Sequence, residues 1–244
     1  MLWLLFILGA ICAGFIQGLT GFAFALIAMS FWIWVLPPQV AAPLVVFASI
    51  WSHLISLRQE RIQPVLSKQL YLPYLITGLI GVPVGCLALK YIDAEIFKLL
   101  LGVFLLIWAP CMLFKPQISR IQHAGIWTDR CIGFIGGILG GLGGFSGSIP
   151  SAWLMLKNLP KQQQRYILRH FNFAIQLLTL CLYAMQGTLS FSLTPYLALI
   201  IIFVSIPAML GARLFYKISE QLFQRIVLGL LFSSGCFLVI SALC

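Results

Sequence analysis

Residues 137–150 read GILGGLGGFSGSIP, and residues 14–27, which lie 123 positions earlier, read GFIQGLTGFAFALI. Five positions are identical in the two stretches: Gly14 and Gly137, Gly18 and Gly141, Leu19 and Leu142, Gly21 and Gly144, Phe22 and Phe145. The same offset aligns Leu36-Pro37 with Leu159-Pro160, and an offset of 126 aligns Gly85, Ile92 and Phe97 with Gly211, Ile218 and Phe223. The chain is therefore a duplication with a short insertion, and each half opens on a glycine-interrupted apolar segment.

The composition indicates a protein that crosses a lipid bilayer several times. The chain is 61% hydrophobic and 8% charged, with a mean hydropathy of +1.06. No Asp, Glu, Lys or Arg occurs before Arg58, in residues 170–212 or in residues 226–244. Such runs can cross a hydrocarbon core of roughly 30 Å, whereas a soluble domain would carry far more charge. The first run has no basic start, which favours a retained segment over a cleaved signal peptide.

The net charge of +10 arises from 15 Lys and Arg residues that lie singly or in small groups at the ends of apolar runs. Basic residues in these places set membrane topology, so we expect no nucleic-acid binding. The seven cysteines form no CxxC or Cys/His pattern and lie mostly inside apolar runs. They predict neither a metal site nor a disulfide framework.

Eight apolar segments can be delimited: 2–36, 38–57, 69–90, 94–114, 131–157, 165–186, 190–212 and 222–243. Segment 2–36 would be about 52 Å long as one helix at about 1.5 Å per residue, which is too long for one crossing. Either the first segment of each half is one long broken span, or it folds back at its glycines as a hairpin.

The distribution of Lys and Arg separates these two arrangements. One broken span per half divides the 15 basic residues 9 to 6, whereas hairpins place 13 on one side and only Lys90 and Lys98 on the other. The 13-to-2 division is the one that the positive-inside bias produces, so we predict hairpins. Three spans per half then make the halves inverted repeats with extracytoplasmic termini.

The predicted fold class is an all-α polytopic membrane protein of two inverted repeats, each a glycine-broken helical hairpin plus three transmembrane helices. Residues 1–118 form the first membrane repeat, residues 119–130 a cytoplasmic linker, and residues 131–244 the second repeat.

The glycine turns are the predicted substrate site. Pro150 suits the first turn of a restarting helix. The exposed N–H groups and positive dipole end at such a break bind anions. Inverted hairpins that meet at the midplane form one site from both halves. The predicted contacts are Gln17, Thr20, Gly21 and Phe22 in the first half and Gly143, Gly144, Phe145, Ser146 and Ser148 in the second.

Many of these glycines also have the GxxxG spacing of helix-packing faces, as in Gly14/Gly18 and Gly137/Gly141. We expect packing for the early glycines and a binding site for residues 143–148.

Polar side chains inside the apolar segments extend the predicted site. Asn172 and Gln176 lie one turn apart, and the 123-residue offset aligns them with Ser49 and His53. Such residues usually face the protein interior and line a pathway, or join neighbouring helices. We predict that Asn172, Gln176 and His53 contact the substrate. Two further residues, Arg165 and Arg169, fall at the cytoplasmic mouth in this topology, where they either steer anions or anchor the chain.

The chain resembles the TauE/SafE sulfite-exporter family, also called the four-TMS sulfur-uptake or TSUP family. That family is similar in having a duplicated core whose halves open with a GxxxGxxGxGG-like motif. Residues 143–150 resemble its GG-x-SGP-x-P variant, with Ser148 in place of the proline, and residues 159–173 resemble the QR…FN segment that follows. The resemblance implies a membrane transporter of sulfite, of sulfonates such as sulfoacetate, or of other small organic anions.

Other functions are compatible with parts of the sequence. Residues 144–147 match the GxSG of rhomboid proteases, with His53 and His170 as candidate bases. No later span carries a histidine, however, and rhomboids lack this duplication, so we predict no catalytic residue. A passive channel or a lipid-handling scaffold is the alternative.

We expect a secondary transporter in the bacterial inner membrane that needs no cofactor and no metal. Its partners are a small anionic substrate and the lipid bilayer. The sequence leaves the oligomeric state, the substrate, the direction of transport and the coupling ion open.

Overall fold

The computed structural model of the chain describes residues 2–32, 35–58, 68–89, 91, 93–114, 125–157, 159–188 and 193–243. Within these ranges the chain forms ten α-helices and no strand. They are α1 (Leu2–Thr20), α2 (Phe24–Trp32), α3 (Pro38–Leu57), α4 (Lys68–Ala88), α5 (Ala94–Phe114), α6 (Ile126–Gly141), α7 (Ser148–Leu156), α8 (Lys161–Met185), α9 (Thr194–Phe215) and α10 (Glu220–Leu243).

Each half opens with two helices that fold back on each other. The Trp32 indole N–H at the end of α2 donates to the Phe6 carbonyl near the start of α1 at 3.0 Å, and the two rings stack. In the second half, the Trp153 indole N–H in α7 donates to the Asp129 carboxylate near the start of α6 at 2.8 Å. Each first segment is therefore a hairpin with a long arm and a nine-residue return arm.

Two helices begin earlier than the apolar pattern predicts. α6 begins at Ile126, inside the predicted 119–130 linker, because contacts from α7 to Asp129 hold its first turn; residues 119–124 lie outside the described residues. α8 begins at Lys161 rather than 165, directly after Pro160. Proline suits a helix start because the N–H that it lacks would have no partner there, so Pro160 favours this boundary.

The offsets in the sequence correspond to helix starts. α3 and α8 start at residues 38 and 161, which differ by 123, whereas α4 and α9 start at residues 68 and 194, which differ by 126. α8 has 25 residues and α3 has 20. The increase in the offset therefore arises between the start of α8 and the start of α9, where the second half has the longer helix.

The main helix contacts recur when the two halves are exchanged. The first helix of each half packs along a helix of the other half: α1 along α9, and α6 along α4. The third helix contacts that same partner, α3 with α9 and α8 with α4. The last helices of the two halves, α5 and α10, pack along each other. The predicted packing role of the early glycines is confirmed, because a Cβ at Gly18 would lie 2.1 Å from the Ala208 carbonyl oxygen, and one at Gly137 would lie 2.0 Å from that of Gly78. Such an exchange of contacts is expected for two halves related by a pseudo-two-fold axis, and the inverted orientation in the membrane stays a prediction.

Six helices are long and apolar enough to cross a membrane: α1, α3, α4, α8, α9 and α10. α5 has 21 residues and packs along α10. The return arms α2 and α7 are only about 13 Å long at about 1.5 Å per residue, so each is too short to cross a hydrocarbon core of roughly 30 Å. The chain is an all-helical, multi-pass integral membrane protein.

Candidate functional site

The two hairpin turns, tip 1 (residues 21–23) and tip 2 (residues 142–147), share a backbone geometry. Gly21 and Gly144 are equivalent at the 123-residue offset, and their φ angles are 84° and 82°, a left-handed conformation that glycine adopts without strain. A Cβ at Gly147 in tip 2 would lie 2.5 Å from the Phe22 Cβ in tip 1. The tips are buried and in direct contact, so the structure is closed at this point.

One side chain, that of Asn172 in α8, touches both tips. Its Oδ1 accepts a hydrogen bond from the Ser146 hydroxyl in tip 2, and its Nδ2 donates to the Gly21 carbonyl in tip 1 at 3.4 Å. Gln176, one turn further on, donates to the Gly144 carbonyl at 3.5 Å, and its Oε1 has no partner within the described ranges. The amides of α8 therefore join the two halves at their tips.

The hydrogen bonds of Gln17 determine which ring nitrogen of His53 carries the proton. The Gln17 Oε1 accepts from the Phe24 N–H at 2.9 Å, which turns the Gln17 amide nitrogen toward Ser49 and His53. That nitrogen lies 2.7 Å from the His53 Nε2. An amide nitrogen only donates, so Nε2 accepts and the neutral ring carries its proton on Nδ1. The His53 Nδ1 is buried with no partner in the described part of the chain, and it is a donor available to a ligand.

Other predicted contact residues shape the tips instead of offering polar groups. The Thr20 hydroxyl donates to the Ile16 carbonyl at 2.9 Å and accepts from the Phe22 N–H at 3.4 Å. The Ser148 hydroxyl donates to the Phe145 carbonyl at 2.8 Å. A Cβ at Gly143 would lie 3.0 Å from the Phe145 ring, so glycine leaves room for that ring.

Backbone donors are available where each return helix starts. Ala23 and Ser146 are equivalent at the 123-residue offset and lie just before α2 and α7. Among the described residues, no hydrogen bond is made by the N–H groups of Ala23, Ser146 and Gly147. Free N–H groups at the positive end of a helix dipole attract anions, so each half contributes donors at the meeting point.

Arg165 and Arg169 lie beside tip 1, and their position at the cytoplasmic mouth of the protein stays a prediction. Both are buried, and a Cβ at Gly21 would lie 3.3 Å from the Arg165 Cγ and 3.6 Å from the Arg169 Cβ. The Arg165 guanidinium donates to the Gly18 carbonyl and lies 4.1 Å from the Phe215 ring centroid. Because α8 begins at Lys161, both arginines lie within the helix.

The sequence profile of the family described as Sulfite exporter TauE/SafE matches residues 6–238, which takes in both hairpins and part of every helix. The chain belongs to the TauE/SafE sulfite exporter family. TauE/SafE proteins are membrane transporters of sulfur compounds and not enzymes. Neither the curated proteins nor the solved structures gave a match.

The GxSG motif of this TauE/SafE protein is not arranged as a nucleophile. The Ser146 hydroxyl donates to Asn172, and the described hydrogen-bond partner of the His53 ring is Gln17. A nucleophilic serine needs a base within hydrogen-bond reach, and no described histidine is hydrogen-bonded to Ser146. In this family member the serine of the motif joins tip 2 to Asn172 in α8.

A polar network at the end of hairpin α6–α7 opposite tip 2 was not among the sequence-based predictions. Asp129 accepts from the Tyr74 hydroxyl at 2.6 Å and from the Trp153 indole, and it pairs with Lys157 at 2.5 Å. Asp129 lay in the predicted linker, so nothing in the sequence pattern marked it as buried. In this TauE/SafE chain the network anchors the return arm α7 to α6 and α4.

Tyr183 is a second residue that the predictions omit. Its hydroxyl is buried and donates to the Gly141 carbonyl, just before tip 2, at 2.8 Å. A signal was present in the sequence, since Tyr183 continues the spacing of Asn172 and Gln176 along one face of α8. A tyrosine in an apolar segment otherwise resembles an ordinary core residue.

Proposed function

We propose that the chain is a secondary transporter of a small sulfur oxyanion, sulfite or a sulfonate, and that the anion binds between the two hairpin tips. The observation that carries the proposal is the position of Asn172, whose one amide reaches both tips beside the free N–H groups of Ala23 and Ser146. Transporters built from repeats bind substrate where interrupted helices of the two repeats meet.

The electrostatics of the tips favour an anion. The groups at the tips are backbone N–H donors and the amides of Asn172 and Gln176, and Arg169 lies on α8 beside tip 1. The His53 Nδ1–H is assigned as a further donor because Gln17 links His53 to Phe24, the residue after tip 1. The described carboxylates of Asp93, Glu95 and Asp129 belong to the starts of α5 and α6, away from the tips. A pyramidal oxyanion with three acceptor oxygens matches donors that converge from several directions.

Binding requires the tips to separate, because Phe22 occupies the space next to Gly147. The anion would replace the hydrogen bond between Ser146 and Asn172 with bonds to its own oxygens. The two hairpins enter the membrane from opposite faces in this proposal. Alternating access follows if each hairpin in turn moves away from the other and opens the site to its own face. Irregular backbone at membrane depth is tolerated only where it is buried or lines a cavity. The tips are buried while they are in contact and would line a cavity once they separate, so both states meet this requirement.

The test is uptake of ³⁵S-sulfite into proteoliposomes. We expect saturable uptake that sulfonates inhibit, and a lowered affinity in Ser146→Ala by about two- to tenfold, the effect of one lost neutral hydrogen bond. Ser233→Ala is the matched control, because Ser233 lies in α10 and bonds only within its own helix. Saturable flux of a cation, with none for any anion tried, would overturn the proposal.

A further inference from the structure

A stripe of buried polar side chains runs along one face of α8. Its members are Arg165, Arg169, Asn172, Gln176, Thr179 and Tyr183. They are alternately four and three residues apart, the spacing of one helix face. The stripe is about 27 Å long at about 1.5 Å per residue, close to the roughly 30 Å of a hydrocarbon core. Asn172 and Gln176, which contact the tips, lie in its middle.

The two ends of the stripe cap equivalent backbone carbonyls. Arg165 donates to the carbonyl of Gly18 in α1, and the Tyr183 hydroxyl donates to that of Gly141 in α6 at 2.8 Å. Gly18 and Gly141 are equivalent at the 123-residue offset. Hydrogen bonds from charged donors are roughly twice as strong as neutral ones, so the Tyr183 end is the easier of the two to open.

A cavity of about 250 Å³ lies at the Tyr183 end, between the start of α3 and the ends of α4 and α8. Gln39, Gln186 and Thr188 give it polar walls, and Cys86 and Tyr183 line its inner part. The volume equals that of about eight liquid waters, which is ample for a small sulfonate.

The hydrogen bond from Tyr183 to Gly141 links a residue that lines this cavity to the residue that precedes tip 2. A Cβ at Gly141 would lie 2.7 Å from the Cys86 backbone nitrogen, so Cys86 and Tyr183 both touch the residue that precedes the tip. Pro43 lines the cavity from α3, and half a turn further on Val45 lies 3.2 Å from where a Gly144 Cβ would be.

Tyr183 belongs to the part of α8 that has no counterpart in α3. Leu57 ends α3 and is equivalent to Leu180 at the 123-residue offset, whereas α8 continues to Met185. The duplication is therefore asymmetric at the place where the cavity meets tip 2.

We propose that this cavity is a second binding site for the substrate anion, on the access route from the face where α3 begins, and that Tyr183 is the gate between it and tip 2. The inference rests on the proposed anion transport, and the charge bias makes this face extracytoplasmic. When the Tyr183 hydroxyl leaves the Gly141 carbonyl, it is free to donate to an oxygen of the anion.

The cavity is tested by labelling Cys86 in a variant whose other six cysteines are replaced by serine. The probe is 2-sulfonatoethyl methanethiosulfonate, a membrane-impermeant thiol reagent that is itself a sulfonate. Cys86 should react when the probe is added to the extracytoplasmic face of oriented vesicles. The matched single-cysteine control retains Cys181, which is exposed on the outer surface of α8 near the end that carries Tyr183 and should stay unlabelled because it faces lipid. Absence of Cys86 labelling from that face would overturn the assignment.

The gate is tested with Thr179→Cys in the cysteine-free background, because Thr179 lies one turn below Tyr183 and is buried. Tyr183→Phe keeps the ring and removes the hydroxyl, so it should raise the labelling rate at position 179 by about two- to tenfold. An unchanged rate would refute the gate. Labelling needs no transport, so failure of the proposed function, seen as absence of anion flux in proteoliposomes, is distinguishable from failure of this inference.

Discussion

Asn172 uses both ends of one amide, the oxygen for tip 2 and the nitrogen for tip 1. Asn172→Asp keeps the acceptor for Ser146, removes the donor to Gly21 and places a negative charge beside the free N–H groups. We expect it to lower ³⁵S-sulfite uptake by at least about tenfold, because juxtaposed like charges cost several kcal/mol. Asn172→Ala is the neutral control and should be less harmful. The reverse order of uptake at equal amounts of folded protein would contradict an anion site.

The two ring nitrogens of His53 have different roles, one in packing and the other in the proposed anion binding. The Nε2 accepts from Gln17 and the Nδ1 is without a partner in the described residues. In His53→Gln the side-chain oxygen can replace Nε2 as the acceptor, while the Nδ1–H donor is lost. We expect anion affinity to fall by about 0.5–1.5 kcal/mol with little change in thermal stability, measured by binding and melting of purified protein. A large loss of stability with unchanged affinity would make His53 a packing residue only.

Among the structural elements, the sequence predicts the two hairpins. It also predicts the face of α8 that carries Asn172 and Gln176. Glycines at equivalent positions and the basic-residue distribution are local signals, and both hairpins are present in the structure. The apolar pattern predicts a start of α8 at 165, whereas the helix begins at Lys161, directly after Pro160. Arg165 and Arg169 therefore lie within α8 and not at or near its first residue.

Contacts between distant segments were not predictable in the same way. Asp129 is a surface residue by pattern, and only its pairing with Tyr74 and Lys157, 55 and 28 residues away, makes it a buried anchor. Tyr183 likewise gains its role from Gly141, 42 residues earlier. One sequence without structure carries no signal for such pairs.

Hairpin α6–α7 should depend on the Asp129 anchor for stability. Asp129→Asn leaves the Lys157 ammonium, whose side chain is 12% exposed, without its counter-charge. Breaking a buried ion pair costs about 3 kcal/mol, so we expect the melting temperature in detergent to fall by several degrees. Adding Lys157→Met should restore part of the loss, and Asp93→Asn, at an exposed loop position, is the control. Equal melting of Asp129→Asn and the parent would exclude the anchor.

For the whole molecule, the exchange of helix contacts between the halves and the 13-to-2 division of basic residues both favour inverted repeats. Cysteines placed at positions 60 and 118 should react with impermeant reagents from the cytoplasmic face, and a cysteine at position 188 from the opposite face. Reaction of positions 60 and 188 from the same face would contradict the inverted arrangement, whatever the substrate.

The meeting of the two halves in one anion site can be observed directly with selenite, which has the charge and shape of sulfite and gives anomalous X-ray scattering. A crystal of the protein soaked in selenite should show an anomalous peak between tip 1 and tip 2. The oxygens of that selenite should lie within about 3.2 Å of the backbone nitrogens of Ala23 and Ser146 and the Asn172 Nδ2. A selenite peak remote from both tips, in protein that transports sulfite, would show that the tips are a packing feature and that the site lies elsewhere.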